Sequence, residues 1–111
     1  RDKSKRPLMG KIGVKLSDIV ILTSDNPRSE EPREIIKDIE KGIPFYLKKK
    51  YAVIIDRKRA IKEAISIAKE NDCVVIAGKG HEAFQILKDV TVPFDDREEA
   101  KKTVKELYGK N

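Results

Sequence analysis

Short runs of apolar residues alternate with amphipathic segments along most of this chain. Three of the runs are continuous and too short to be buried helices, so they predict buried parallel strands at residues 18–23, 51–55 and 73–77. Elsewhere apolar residues recur at helical spacing and predict the inward faces of helices. These faces are Leu8, Met9, Ile12 and Leu16; Ile35, Ile36 and Ile39; Ile61, Ala64, Ile65 and Ala68; and Ala100, Val104, Leu107 and Tyr108. Strands that alternate with amphipathic helices predict an α/β domain with a mostly parallel sheet.

Residues that flank these segments predict smaller features. Cys73 starts the third apolar run, so we expect it to be a small core residue. A short helix is predicted through residues 84–87. An edge strand is predicted over residues 90–94, because Pro93 lacks the N–H group that a central strand needs. Ser29 is a candidate helix N-cap and Gly42 a candidate helix stop. Asp56-Arg57 is interpreted as a helix start, and the pair Asp95-Asp96 is expected to cap the last helix.

Length and charge narrow the class of protein. The chain has 111 residues, which is the size of one domain. Its 25 basic and 19 acidic residues give a net charge of +6, but most of them interleave and aromatic residues are few, so we expect no nucleic-acid partner. The single cysteine excludes a disulfide scaffold, and one His with one Cys cannot make a zinc site.

The sequence predicts neither a membrane span nor a signal peptide. No apolar run approaches the roughly 20 residues that a bilayer requires, so we expect no membrane partner. The basic start is not followed by an apolar stretch of the kind a signal peptide has. The first residue is Arg1 rather than Met, so we expect either a processed start or a piece of a longer protein.

Two polar loops come directly after predicted strands. Ligands of open α/β sheets bind beyond the carboxyl ends of the strands, so both loops are expected on one edge of the sheet. In residues 25–28, Arg28 and Asn26 could bind a carboxylate, and in residues 78–82, Glu82 could bind an ammonium group. Together the loops suit an amino acid or another zwitterion. Taken singly, a helix-capping turn explains the first loop, and a glycine turn with a surface His explains the second.

Several segments carry a resemblance that extends over almost the whole chain. They are residues 1–10 (RDKSKRPLMG), residues 23–32 (TSDNPRSEEP), Asp56-Arg57 with Ala60-Ile61, residues 77–82 (AGKGHE) with Gln85, and residues 94–98 (FDDRE). In this order and spacing they resemble the C-terminal domain of the Mur ligases, in the branch that adds the third residue of the peptidoglycan stem peptide. The resemblance implies a Rossmann-like three-layer domain over residues 1–111, with a mostly parallel sheet and helices on both faces.

The resemblance also implies an activity for the longer enzyme. The Mur ligases have three domains, and the UDP-sugar-binding and ATP-binding domains are absent from this chain, in which no P-loop sequence occurs. ATP activates the γ-carboxylate of UDP-MurNAc-L-Ala-D-Glu as an acyl phosphate, which the amine of the incoming amino acid attacks. ATP and Mg²⁺ belong mainly to the missing central domain, so no catalytic residue and no metal ligand is assigned here. We expect the isolated chain to be inactive, monomeric and cytoplasmic.

The loop at residues 25–28 implies which amino acid is added. Its Asp-Asn-Pro-Arg form resembles the branch specific for meso-diaminopimelate, whose distal carboxylate Arg28 and Asn26 would bind. Glu82 and the Gly78 backbone would bind the distal ammonium group. The residues implied to contact meso-diaminopimelate are Arg1, Asp25, Asn26, Pro27, Arg28, Gly78 and Glu82. L-lysine as the added residue is the alternative, and a basic α/β module that binds nucleotides or nucleic acid is a more distant one.

Overall fold

Helices and strands alternate along the chain in the computed structural model, which describes residues 3–25, 30–78, 84–87 and 90–109. The helices are α1 (Arg6–Leu16), α2 (Pro32–Glu40), α3 (Arg57–Ile67) and α4 (Asp96–Tyr108), with short 3₁₀ helices at Lys3–Lys5 and Phe45–Lys50. The strands are β1 (Val20–Leu22), β2 (Tyr51–Val53), β3 (Phe84–Leu87) and β4 (Val90–Pro93). β1 and β2 pair in parallel, with Val20 opposite Tyr51, whereas β3 and β4 pair antiparallel. The α/β prediction is confirmed, but the predicted burial of the second strand is not, because Ala52 and Val53 of β2 are exposed.

The helix start predicted at Asp56-Arg57 and the cap predicted at Asp95-Asp96 are confirmed, and the capping residues are Asp56 and Asp95. Asp56 accepts a hydrogen bond from the Lys58 N–H at 3.3 Å, and Asp95 accepts one from the Arg97 N–H at 2.9 Å. These bonds satisfy N–H groups that have no partner inside the helix. The N-cap of α2 is Glu31, which makes no capping bond through its side chain; the predicted cap Ser29 lies outside the described residues.

The main core lies between α1, α2 and the parallel pair. It is built from Val14 of α1, Leu22 of β1, Ile36 of α2 and Ile43. Side chains of successive strand residues point to opposite faces, so Val20 and Leu22 both face this core. The parallel pair is therefore covered by α1 and α2 on this side, and α3 also contacts β1.

The predicted inward face of α1 is wrong. Leu8, Met9, Ile12 and Leu16 are 47–82% exposed, and the helix buries Arg6, Gly10 and Val14 instead. The reason is backbone contact: a Cβ atom at Gly10 would collide with the carbonyl oxygen of Ile39. Glycine permits this close approach of α1 to α2 because it has no side chain. A pattern of apolar side chains cannot reveal a helix face that packs through a glycine.

The inward face of α3 is predicted correctly, and that of α4 only in part. Ile61 and Ile65 are buried, with Ala64 and Ala68 partly buried. On α4, Ala100 is half-buried, but Val104, Leu107 and Tyr108 are 46%, 39% and 58% exposed. The helix buries the polar side chains of Asp96 and Thr103 instead. At 13 residues α4 is the longest described helix, and none in the described ranges combines the length and apolarity that crossing a bilayer demands.

Two further predictions on the second half of the chain are wrong. Residues 73–77 form no strand, Cys73 is exposed rather than in the core, and Val75 is 80% exposed. Residues 84–87 form β3 rather than a helix, paired with the predicted edge strand as β4. Short apolar runs fit a strand or a helix equally well, so the partner within reach decides between them, and that partner is a tertiary property.

Candidate functional site

The two polar loops meet at their first residues. Asp25 follows β1, and Gly78 follows residues 73–77 with φ +112°, a backbone conformation that favours glycine. A Cβ atom built on Gly78 would lie 3.5 Å from Oδ2 of Asp25 and 3.8 Å from Nη2 of Arg57. Two of the predicted amino-acid contacts are therefore neighbours, although residues 73–77, which lead into the second loop, form no strand of the parallel sheet.

A single guanidinium joins the chain segments that lead into both loops. Nη1 of Arg57 donates to the carbonyl oxygen of Ser24 at 3.1 Å, and Nη2 donates to that of Ala77 at 3.0 Å. Nε and Nη2 also bind the two carboxylate oxygens of Asp96, at 2.8 and 2.7 Å. Arg57 is 3% exposed and Asp96 is 5% exposed, so this bidentate ion pair is buried.

Gln85 of β3 anchors the start of the first loop from a second direction. Its Nε2 donates to the Asp25 carbonyl oxygen at 2.8 Å and to the Ser24 hydroxyl at 3.3 Å. The Ser24 and Thr23 hydroxyls in turn donate to the carbonyl oxygen of Ile55, at 2.9 and 3.0 Å. The backbone leading into Asp25 is thus held by side chains and main chain together.

The far end of the first loop is held by an ion-pair cluster. Arg6 of α1 donates to both carboxylate oxygens of Glu30, at 2.8 and 3.0 Å, and to Asp38 of α2 at 3.1 Å. The hydrogen bond from Arg6 lowers the pKa of Glu30 to about 2, and Arg6 and Lys41 hold the pKa of Asp38 below its usual range. Glu30 raises the pKa of Arg6 through the same hydrogen bond. Both carboxylates are therefore ionised at neutral pH, and residues 26–29 are bracketed by fixed ends.

The sequence of this chain matches a known protein family. The family model described as "Mur ligase, glutamate ligase domain" matches residues 1–80. The chain belongs to the Mur ligase family. That match includes the first loop and Gly78, and it ends inside the second loop.

Individual Mur ligases extend the likeness to nearly the whole chain. The UDP-N-acetylmuramoyl-L-alanyl-D-glutamate–2,6-diaminopimelate ligase of Clostridium tetani is 56% identical over 108 residues, which is 97% of this chain and 22% of the relative. The corresponding ligase 1 of Clostridium acetobutylicum has the same identity and coverage. A solved structure with this ligase title superposes with a TM-score of 0.88 at 43% identity, over 96% of this chain and 22% of that one. The chain therefore spans about a fifth of the length of the relatives that it matches.

The remaining Mur ligase site residues predicted from the sequence stay predictions. Arg1, Asn26, Pro27, Arg28 and Glu82 lie outside the described residues. In the described ranges no three His, Cys, Asp or Glu side chains are grouped as a metal site.

Sequence reasoning missed the residues that hold the loops in place. The sequence pattern places Arg57 and Asp96 in helix starts. Their neighbours Asp56 and Asp95 provide the caps, so the side chains of Arg57 and Asp96 are available to pair with each other. Apart from the helix starts, Arg57 and Asp96 occur only in the segments that carry the Mur ligase resemblance, which also contain Gln85. A charged residue next to a cap, on a helix that packs against another such helix, is the pattern to look for in related chains.

Proposed function

We propose that residues 1–111 are the C-terminal, amino-acid-binding domain of an ATP-dependent ligase that adds meso-diaminopimelate to UDP-MurNAc-L-Ala-D-Glu in peptidoglycan synthesis. The observation that carries the proposal is the meeting of Asp25 and Gly78 in a chain 56% identical over 108 residues to a diaminopimelate ligase. The UDP-sugar-binding and ATP-binding domains would lie in the rest of the enzyme. This assignment also places the reaction in the cytoplasm, with the enzyme a monomer and the isolated chain inactive.

In the proposed reaction the γ-carboxylate of D-Glu is activated as an acyl phosphate, and the amine of the incoming amino acid displaces phosphate to form an amide. ATP and Mg²⁺ are bound mainly by the central domain, outside this chain. What this chain contributes is the orientation of the attacking amine. Positioning of this kind lowers the barrier because the translational and rotational entropy of the amino acid is lost on binding rather than in the reaction step.

The two loops divide the recognition of meso-diaminopimelate between them. Arg28 and Asn26 bind the distal carboxylate by charge-assisted hydrogen bonds, and Glu82 with the Gly78 backbone binds the distal ammonium group. Asp25, Pro27 and Arg1 complete the contacts. The anchoring of Asp25 by Gln85 and of Glu30 by Arg6 supports this reading, because it fixes both ends of the loop that carries Arg28.

L-lysine lacks the distal carboxylate, so it would leave the Arg28 guanidinium without its partner. A site built to bind a charged group rejects an analogue that lacks the group by several orders of magnitude, because a desolvated polar group stays unpaired. The names of the curated relatives support diaminopimelate as the substrate of the proposed enzyme.

The test is a competition assay with the full-length polypeptide that carries this chain. It receives UDP-MurNAc-L-Ala-D-Glu, ATP and Mg²⁺ with equal concentrations of meso-diaminopimelate and L-lysine, and the product masses are measured. We expect the diaminopimelate product to dominate, and we expect Arg28→Ala to abolish that preference. Arg33→Ala is the matched control, because Arg33 is an exposed arginine on α2, beyond the loop.

The outcomes separate the two levels of the proposal. Equal use of lysine by the wild-type enzyme would overturn the specificity while leaving the ligase assignment intact. The absence of a tripeptide product with either amino acid would overturn the ligase assignment itself.

A further inference from the structure

We infer that Arg57 is a positioning residue that sets the distance between the two amino-acid-binding loops. Its guanidinium binds the carbonyl oxygens of Ser24 and Ala77, which immediately precede Asp25 and Gly78. Each of these bonds lies one residue from a proposed substrate contact. The inference rests on the proposed function, because the spacing of the two loops affects the reaction only if both loops bind the same amino acid.

The Ala77 bond is important because residues 73–77 have no strand partner in the described part of the chain. The first loop is tied to the parallel pair, since the Ser24 N–H donates to the Ile55 carbonyl oxygen at 3.2 Å. Within the described ranges, no comparable ladder leads into Gly78. The bond from Nη2 of Arg57 to Ala77, at 3.0 Å, takes the place of strand pairing at this point.

Asp96 makes this arrangement rigid. It binds Nε and Nη2 of Arg57 at 2.8 and 2.7 Å, which neutralises the buried charge and fixes the plane of the guanidinium. The three remaining N–H directions of the planar guanidinium are then fixed as well, and two of them point to the carbonyl oxygens of Ser24 and Ala77. A lysine ammonium is a point charge on a flexible stem, and it cannot bind Asp96 and both carbonyl oxygens in this planar geometry.

The spacing of the loops matters because they bind opposite groups of one small molecule. A displacement of about 1 Å between them would turn the attacking amine away from the acyl phosphate, and misplacement on this scale costs up to about a hundredfold in rate. Arg57 touches no substrate in this scheme. It acts through the backbone of the two loops, so its loss should affect the amino acid and spare the other substrates.

Two variants of the full-length ligase test the inference. Arg57→Lys retains a charge opposite Asp96 but cannot bridge the loops. The double variant Arg57→Met with Asp96→Leu removes both charges. Proteins often keep their stability when a buried ion pair is replaced by apolar residues of similar volume. For each variant we expect kcat/KM for meso-diaminopimelate to fall by about tenfold or more, with KM for ATP and for UDP-MurNAc-L-Ala-D-Glu unchanged. Arg59→Met is the control, an exposed arginine on the same helix.

A role in stability alone predicts a different pattern. In that case the folded apolar double variant would have a normal kcat/KM for meso-diaminopimelate. Arg57→Lys would also have a normal kcat/KM if its unfolding temperature is unchanged. Either result overturns the inference. If the double variant does not fold, the result with Arg57→Lys decides.

A wild-type enzyme that makes no tripeptide overturns the proposed function instead. The contact of Arg57 with both loops is then tested by the amide hydrogen exchange of Asp25 and Gly78. Arg57→Lys should accelerate this exchange and Arg59→Met should not. Unchanged exchange in Arg57→Lys overturns the inference.

Discussion

Arg57 at the start of α3 and Asp96 at the start of α4 form a bidentate ion pair across 39 residues of sequence. Both residues are within one position of a helix cap, and both are almost completely buried. The pair therefore joins the N-terminal ends of two packed helices. Since Arg57 also binds the backbone at Ser24 and Ala77, the packing of α3 on α4 is coupled to the entrance of both loops.

Removal of one partner of this pair should destabilise the chain strongly. Asp96→Ala leaves the Arg57 guanidinium buried without its counter-charge, and we expect a loss of about 3–5 kcal/mol in the free energy of unfolding. Urea unfolding followed by circular dichroism measures this loss. Glu98→Gln, an exposed change one helical position beyond Arg97, should alter stability by less than about 0.5 kcal/mol. Equal effects of the two variants would show that the pair contributes nothing.

Two glycine substitutions should have opposite effects. Gly78→Ala should destabilise the chain by about 1–3 kcal/mol, because alanine is strained at φ +112° although the nearest side-chain atom, Oδ2 of Asp25, is at an ordinary 3.5 Å from the new Cβ. Gly13→Ala should stabilise it by about 0.5–1 kcal/mol. Its Cβ would meet only Val20 methyl groups at 3.8 and 3.9 Å, and alanine favours the helix. Thermal unfolding of both variants is the measurement, and the same sign of change for both would contradict the described backbone.

The buried face of α1 can be tested by two truncations to alanine. Val14 is fully buried, so Val14→Ala should cost about 2 kcal/mol from the methyl groups removed and the cavity that remains. Leu16 is 82% exposed, so Leu16→Ala should change the free energy of unfolding by less than about 0.5 kcal/mol. The hydrophobic pattern predicts an inward Leu16, and a large cost for Leu16→Ala would favour that pattern over the structure.

The Arg6–Glu30 pair predicts a defined dependence of stability on pH. The pKa of Glu30 falls from 4.5 to about 2 because Arg6 donates hydrogen bonds to its carboxylate. A carboxyl group whose pKa is lowered by folding stabilises the protein above the unfolded-state pKa, and the contribution is lost as the pH falls toward the folded-state pKa. Wild-type protein should therefore be more stable than Glu30→Gln at pH 7, and the difference should shrink between about pH 4.5 and 2.

Urea unfolding of both proteins at a series of pH values measures this difference. Glu34→Gln provides the control, since Glu34 is an exposed residue paired with Lys37 at 3.5 Å within one turn of α2, an arrangement that contributes little. A difference between wild type and Glu30→Gln that does not change with pH would contradict the proposed ionisation of Glu30.

Local features of this protein could be predicted from the sequence. The caps at Asp56 and Asp95 and the inward face of α3 each depend on residues within a few positions of one another. Hydrogen bonding at a helix start and the period of side chains along a helix are short-range effects, so the sequence contains the information needed to predict them.

The sequence by itself thus determined the α/β alternation, the starts of α3 and α4 and the location of two polar loops after apolar runs. Only the tertiary structure decided that α1 packs through Gly10 and Val14, that residues 84–87 pair with β4, and that Arg57 binds Asp96, Ser24 and Ala77. These outcomes depend on partners that are distant in the sequence. The partners of Arg57, for example, are 20 to 39 residues away. A buried charge or a backbone contact is favourable only when its partner is present, and local sequence patterns do not specify that partner.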